Sequence, residues 1–214
     1  MEVSMSVEID MKLLVSDKYT LEKIKNSEIL TRYYKDDFVI RQTFSEYLDT
    51  PDWDLDQNNY ILRIRKWENY HVAALKHGTI DHLEHPGLFR GRQWTCYYST
   101  PETVISDLQA RAAPEELSEI VKDKKLEVCF SSEYKRLYTT LYMPDRVRIE
   151  LTLDEGSIHC DGKSESLYHI GFELLFGNTE ALVNLSSQIM EAFGLMPDLL
   201  TKQQRALRLI RSRI

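Results

Sequence analysis

The stretch Met5-Ser6-Val7-Glu8-Ile9-Asp10-Met11-Lys12-Leu13-Leu14-Val15 decides how this chain is read. In an extended backbone successive side chains point to opposite faces, so Val7, Ile9, Met11 and Leu13 share one side and Glu8, Asp10 and Lys12 the other. The alternation predicts a strand with one apolar face and one face carrying charges of both signs.

The pattern returns downstream. Gln42 to Leu48, Tyr60 to Trp67, His71 to Lys76, Gln93 to Ser99, Glu127 to Tyr142, Arg146 to Ile158 and Tyr168 to Phe176 read as further strands, about eight in all. Asp49-Thr50-Pro51-Asp52 and Met143-Pro144-Asp145 carry turn residues. Helical spacing predicts a short helix within Ser16 to Glu28 and one or two helices in Pro101 to Val121, with Pro114 near an N-terminus. An amphipathic helix over Thr179 to Phe193 and a basic one over Lys202 to Arg213 follow, while His82 to Gly91 and Asp161 to Glu165 read as loops.

The chain has 214 residues, of which 43% are hydrophobic and 29% charged, enough to bury a sizeable core and too charged for a membrane protein. No apolar run approaches the roughly 18 residues that span a bilayer, and the acidic start has no signal-peptide pattern, which predicts a cytoplasmic protein. Cys96, Cys129 and Cys160 are widely spaced and odd in number, which indicates neither a disulfide framework nor a zinc site. A net charge of −7 argues against general nucleic-acid binding, which rests on Lys and Arg meeting phosphates. Any anion site is then a local basic feature in an acidic molecule. No repeat or flexible linker breaks the order, which predicts one domain over residues 1–214.

Strand parity collects Glu8, Asp10, Lys12, Arg63, Arg65, Lys76, Arg136, Arg148, Glu150, Asp154 and Glu173 on one face. Leu62, Ile64, Leu75, Ile149, Leu151, Leu153, Ile170 and Phe172 fall on the other. If the helices cover the apolar face from outside, the charged residues line an interior. The fold class is then α+β, mainly β: a closed eight-stranded antiparallel β-barrel with helices packed outside. Six cations and five anions in a dry core would each cost several kcal/mol, so the interior is expected to be a wet tunnel that holds a polyanion and a divalent cation. The competing account is an ordinary sheet with one solvated face. Arginine suits a phosphate ligand because its planar fork meets oxygens in pairs.

The ordered segments Glu8-Ile9-Asp10-Met11-Lys12, Tyr47-Leu48-Asp49-Thr50-Pro51, Leu62-Arg63-Ile64-Arg65, Ala74-Leu75-Lys76, Leu151-Thr152-Leu153-Asp154-Glu155-Gly156 and Phe172-Glu173-Leu174-Leu175-Phe176-Gly177 resemble the CYTH family, also called triphosphate tunnel metalloenzymes. The resemblance spans nearly the whole chain and ends near Thr201-Lys202. It implies an eight-stranded tunnel that binds triphosphate compounds with Mg²⁺ or Mn²⁺. Family branches hydrolyse inorganic triphosphate, thiamine triphosphate or messenger-RNA ends, or cyclise nucleotides as class IV adenylyl cyclases.

Carried over by position, the resemblance implies that Lys12, Arg63, Arg65, Lys76 and Arg136 hold phosphates and act in catalysis, with Arg148 supporting them. It implies Glu8, Asp10, Asp154 and Glu173 as metal ligands. Lys202 is a further phosphate contact or part of a solvated helix face with Arg205 and Arg208. Four positions depart from the family pattern: Asp10 stands where the opening Glu-x-Glu-x-Lys signature has its second glutamate, the last strand reads His169, Gly171, Glu173 where the family alternates glutamates, and Gln93 stands where another glutamate is common. His169 is either a replacement metal ligand or bonded to a neighbouring side chain, and Trp67 and Trp94 are either a base-stacking platform or packing residues. The function expected is metal-dependent hydrolysis of a triphosphate-containing substrate. The alternatives are a binding protein without turnover and a class IV-type cyclase.

Overall fold

The computed structural model describes residues 5–66 and 69–211. Nine strands are present: β1 (Met5–Val15), β2 (Val39–Asp49), β3 (Tyr60–Lys66), β4 (His71–Ile80), β5 (Leu88–Tyr97), β6 (Glu127–Tyr142), β7 (Arg148–Cys160), β8 (Lys163–Phe176) and the two-residue β9 (Met196–Pro197). The first eight pair in the order β5-β4-β3-β2-β6-β7-β8-β1, and β1 returns to β5 to close the barrel. All these pairings are antiparallel. Closure removes the sheet edges that would otherwise present unpaired backbone groups.

Helices cover two sectors of the outer wall. α1 (Lys18–Lys25), α2 (Glu28–Thr31) and α6 (Thr179–Phe193) pack Leu21, Ile24, Leu30, Leu182, Leu185 and Ile189 on the outward side chains of β1, β7 and β8, including Met11, Leu13, Ile149, Leu151, Ile170 and Phe172. α3 (Asp54–Gln57), α4 (Val104–Gln109) and α5 (Glu116–Val121) cover Leu62, Ile64, Ala73, Leu75 and Trp94 of β3, β4 and β5. Each fully buried Leu or Ile in these layers stabilises the fold by about 1.5–3 kcal/mol. α1 and α6 are started by Asp17 and Asn178, whose side chains accept the backbone N–H of Thr20 and Ala181, each at 2.8 Å. The first half of β1 has no helix over it, and Val7 is 69% exposed.

The final helix, α7 (Lys202–Arg211), takes the other side of the wall. Its Ala206, Leu209 and Ile210 pack against Tyr47, Phe130, Tyr134, Ile158 and Leu167, side chains of inward parity on β2, β6, β7 and β8. One end of the barrel is therefore filled by an apolar helix face, and the start of α7 borders the space that remains.

Two strands begin inside stretches that the sequence reads as loops. β5 begins at Leu88, inside the stretch read as a loop, because Gly91 and the exposed Arg90 interrupt the apolar alternation that marks a strand. β8 begins at Lys163, directly after an Asp161–Gly162 turn with φ of 51° and 71°, because Lys163 to Ser166 are polar on both faces. The strand pairing to β7 is nevertheless continuous from Cys160 and Lys163 to Glu150 and Glu173. Among the described residues no helix is long and apolar enough to cross a membrane.

Candidate functional site

The barrel encloses a cavity of about 280 Å³ lined by Glu8, Asp10, Lys12, Arg63, Arg65, Lys76, Arg136, Glu150 and Glu173 from the strands and by Lys202 from α7. Period-2 geometry places them there: Glu8, Asp10 and Lys12 lie at i, i+2 and i+4 on β1, and Arg63 and Arg65 at i and i+2 on β3. The wall divides into two halves of different electrostatic character.

One half is cationic. Arg63 faces Tyr47 as its cross-strand partner and Arg65 faces Ser45. Both arginines carry a buried Nε that has no hydrogen-bond partner among the described residues. Arg63 beside it, together with burial, holds the Arg65 guanidinium down to about 9. Burial lowers the Lys202 ammonium to about 8, and its Nζ sits 4.5 Å from the centroid of the Tyr134 ring. Burial pushes the Tyr47 phenol up, but Lys202 and Arg63 more than offset this and leave it near 8. A buried donor with no acceptor is costly, and like charges packed together raise the cost. A multiply charged anion relieves both.

Arg136 differs from these, because its Nε and Nη2 donate to the two carboxylate oxygens of Asp154 at 2.7 and 2.6 Å. Burial works against the charge of Arg136, yet Asp154 holds it well above the ordinary value. Asp154 lies on the opposing strand directly across from Arg136. The structure thus places Asp154 behind an arginine, with both oxygens engaged and outside the residues that line the cavity.

The other half is acidic. Glu150, Glu173 and Asp10 form a row across β7, β8 and β1, each the register partner of the next, with Glu8 one step along β1. Lys76 forms an ion pair with Glu8, and Lys12 Nζ lies 2.5 Å from Asp10 Oδ1. Burial opposes the Glu8 charge, but Lys76 and Lys12 bring its carboxyl down to about 2. Burial raises Asp10, and burial together with Glu8 pushes Glu173 up to about 7. Glu8 Oε2 is buried without a partner.

These oxygens suit a hard divalent cation, which takes few carboxylates together with water and ligand phosphates. The orphaned Glu8 oxygen and the raised Glu173 are the features a cation would satisfy. Among the described residues no three His, Cys, Asp or Glu side chains converge on one point. Lys76 and Lys12 draw Glu8 and Asp10 to themselves instead.

The remaining predicted residues fall as follows. Arg148 does not line the cavity; a bulge beside it in the pairing with β8 turns it away, and its guanidinium stacks 4.6 Å from the Tyr142 ring centroid. Gln93 lines the cavity as the partner of Lys76. Gly171 lies between Lys12 and Thr152, and a Cβ there would stand 2.5 Å from Thr152 Oγ1. His169 Nε2 is 3.0 Å from Asp198 Oδ2, so its neighbour is a side chain of the final segment. Trp94 is buried in the outer core, and Trp67 lies outside the described residues. Tyr47 helps carry the resemblance but is given no part in a site by the sequence, and Asp198 is not singled out there. Tyr47 shares the parity of Arg63 across the β2–β3 pair, a signal that could have found it, whereas Asp198 follows a two-residue strand that carries no period.

The closed antiparallel barrel thus sets unpartnered arginines and a row of carboxylates around one interior cavity. The chain belongs to the CYTH domain family, whose sequence profile matches residues 6–175. Its fold is similar to that of a candidate adenylate cyclase from Bacillus halodurans, at 20% identity and TM-score 0.59 over 94% of this chain and 98% of that one. A candidate adenylyl cyclase from Hippeastrum, described as revealing a dominant triphosphatase activity, matches at 14% identity and TM-score 0.55 over 94% and 95% of the two chains. A protein from Pyrococcus horikoshii OT3 matches at 16% identity and TM-score 0.54, again over 94% and 98%. At such identities the likeness establishes the fold.

Proposed function

We propose that this protein binds a triphosphate-containing small molecule in the barrel and hydrolyses it with the help of a divalent cation. The observation that carries the reading is the pair of buried, unpartnered Nε groups on Arg63 and Arg65 beside Lys202. Three cations with no ion pair at contact distance among the described residues favour a ligand with several negative charges. Membership in the CYTH family and the triphosphatase activity ascribed to the Hippeastrum relative agree with a triphosphate.

In this reading Arg63, Arg65 and Lys202 hold the phosphate oxygens and offset the charge that develops on the departing phosphate. Arg136, oriented by Asp154, adds a fixed positive wall between them. Glu8, Asp10 and Glu173, with Glu150 beside them, would hold Mg²⁺ or Mn²⁺, which would supply positive charge against the phosphate oxygens. Lys12 and Lys76 then exchange Glu8 and Asp10 for phosphate. A water attacks the terminal phosphorus, the phosphorus bond to the bridging oxygen breaks, the remaining phosphates leave as an anion, and the water's proton passes to solvent.

A second reading, binding without turnover, is favoured by one observation: Asp154 is committed to Arg136, which thins the acids available to activate water. One assay separates them. Inorganic triphosphate, nucleoside triphosphates and thiamine triphosphate are incubated with and without Mg²⁺ or Mn²⁺, and orthophosphate, pyrophosphate and cyclic nucleotide are scored separately. Metal-dependent orthophosphate supports hydrolysis. Thermal stabilisation by triphosphate with no product supports the binding protein.

A further inference from the structure

Lys202 poses a physical problem. A lysine on a flexible four-carbon stem would ordinarily turn its ammonium to water, yet this one borders the cavity and has no carboxylate partner among the described ion pairs. Something must hold the backbone beneath it.

Asp198, four residues earlier, makes that hold. Its backbone N–H donates to the Lys12 carbonyl at 2.7 Å, which ties it to β1. One carboxylate oxygen, Oδ1, accepts the Leu200 N–H at 3.2 Å and an N–H of Arg205. The other lies 3.0 Å from His169 Nε2 on β8, a close electrostatic contact without hydrogen-bond geometry. Arg205 continues to Glu165 of β8 at 2.9 Å. His169, Asp198 and Arg205 are 3%, 4% and 8% exposed, and the first two also border the cavity. Gln203 adds a bond of 2.9 Å to Asp49 at the end of β2. Lys202 therefore sits between two anchored residues, Asp198 and Arg205, with a third anchor at Gln203 beside it.

We propose that His169 and Asp198 are positioning residues that hold Lys202 inside the cavity, so that position 169 serves the final helix rather than a metal ion. This rests on the cavity being a triphosphate site. The pairing also accounts for the residue type at 169: a glutamate there would set a second carboxylate against Asp198, whereas a histidine places no negative charge beside it. The two residues are matched to each other, and the match fixes where α7 begins.

The test measures binding of inorganic triphosphate to the full chain by calorimetry, alongside thermal unfolding. Lys202→Ala is expected to lose affinity about 10-fold, the order of one charge-assisted contact. Asp198→Asn and His169→Glu are expected to lose a similar factor. Adding Lys202→Ala to Asp198→Asn should cost no more than either alone, while adding Lys76→Ala should multiply the loss. His169→Asn, whose amide dipole can still face the Asp198 carboxylate, should bind nearly as well as the wild type. If Asp198→Asn does not fold, the comparison of His169→Leu, expected to bind weakly, with His169→Asn decides the matter.

The proposal is overturned if Asp198→Asn or His169→Leu lowers the unfolding temperature but leaves triphosphate affinity intact. Full multiplicative loss in the Asp198→Asn, Lys202→Ala double variant overturns it equally. A wild type that binds no triphosphate overturns the reading of the cavity as well, and that result is distinct from a wild type and variants that bind alike.

Discussion

Arg63 and Arg65 stand two residues apart on one strand, face one cavity, and each keeps a buried Nε without a partner among the described residues. Mutual repulsion of this kind costs stability unless something offsets it, and in the proposed function a bound polyanion is the offset. Arg65→Gln should weaken triphosphate binding about 10- to 100-fold, the range for loss of a hydrogen bond to a charged group. The same change should leave the unligated protein as stable as before or more so, because it removes a like charge. Calorimetry and thermal unfolding check the two halves, and intact affinity would contradict the assignment.

Lys202 provides a pH signature. Burial lowers it to about 8, so it is charged below that value and loses its charge above it. Anion affinity that depends on this charge is fully present at neutral pH and falls as the pH rises through about 8. Because the ligand also titrates, the quantity to follow is the ratio of wild-type to Lys202→Met affinity. It should be largest near neutral pH and approach one above about 9. A ratio that stays constant would show that the ammonium does not meet the ligand.

Glu173 gives a stability signature of the opposite kind. Burial and then Glu8 raise it from 4.5 to about 7, so the folded state favours its protonated form. The stability this contributes is present below about 4.5 and lost as the pH rises through about 7. Without divalent metal, Glu173→Gln should therefore stabilise the protein by roughly 1–3 kcal/mol at pH 8 and have little effect near pH 4.5. Unfolding curves at the two values check this. With Mg²⁺ or Mn²⁺ present at pH 8, the advantage of the glutamine should shrink, because the wild type gains a ligand that the variant holds less well.

Gly171 tests the packing of the acidic wall. A methyl group there would meet Thr152 Oγ1 at 2.5 Å, closer than real contacts allow. Gly171→Ala should destabilise the fold by about 1–3 kcal/mol, and Thr152→Ala in the same chain should recover most of the loss. Two losses that simply add would show that the threonine is not the obstacle. The result bears on function too, since a glutamate at 171 needs the same space.

How much of this was legible in the sequence follows from which features have a period. The charged face of Glu8, Asp10 and Lys12, and its counterparts on β3 and β4, were readable because strand geometry forces alternate residues to one side. Barrel closure was readable from the continuity of the opposite, apolar face. The engagement of Asp154 by Arg136 was not, because it depends on register between β6 and β7, which a single strand's pattern does not contain. Arg148 had the inward parity, but the adjacent bulge turns it toward Tyr142. Lys202 could be placed in the cavity or in solvent until the path of α7 was known, and that path is set by Asp198, which belongs to no repeating pattern. The starts of β5 and β8 were hidden by glycine and by polar residues on both faces.

Orthophosphate release from inorganic and organic triphosphates, with Mg²⁺ or Mn²⁺ and after chelation, measures the proposed activity most directly. At least one triphosphate should yield orthophosphate only when the divalent ion is present, and Arg65→Gln should abolish that release in a protein that remains folded. Absence of metal-stimulated release from every triphosphate, or release that persists unchanged in Arg65→Gln, would contradict it.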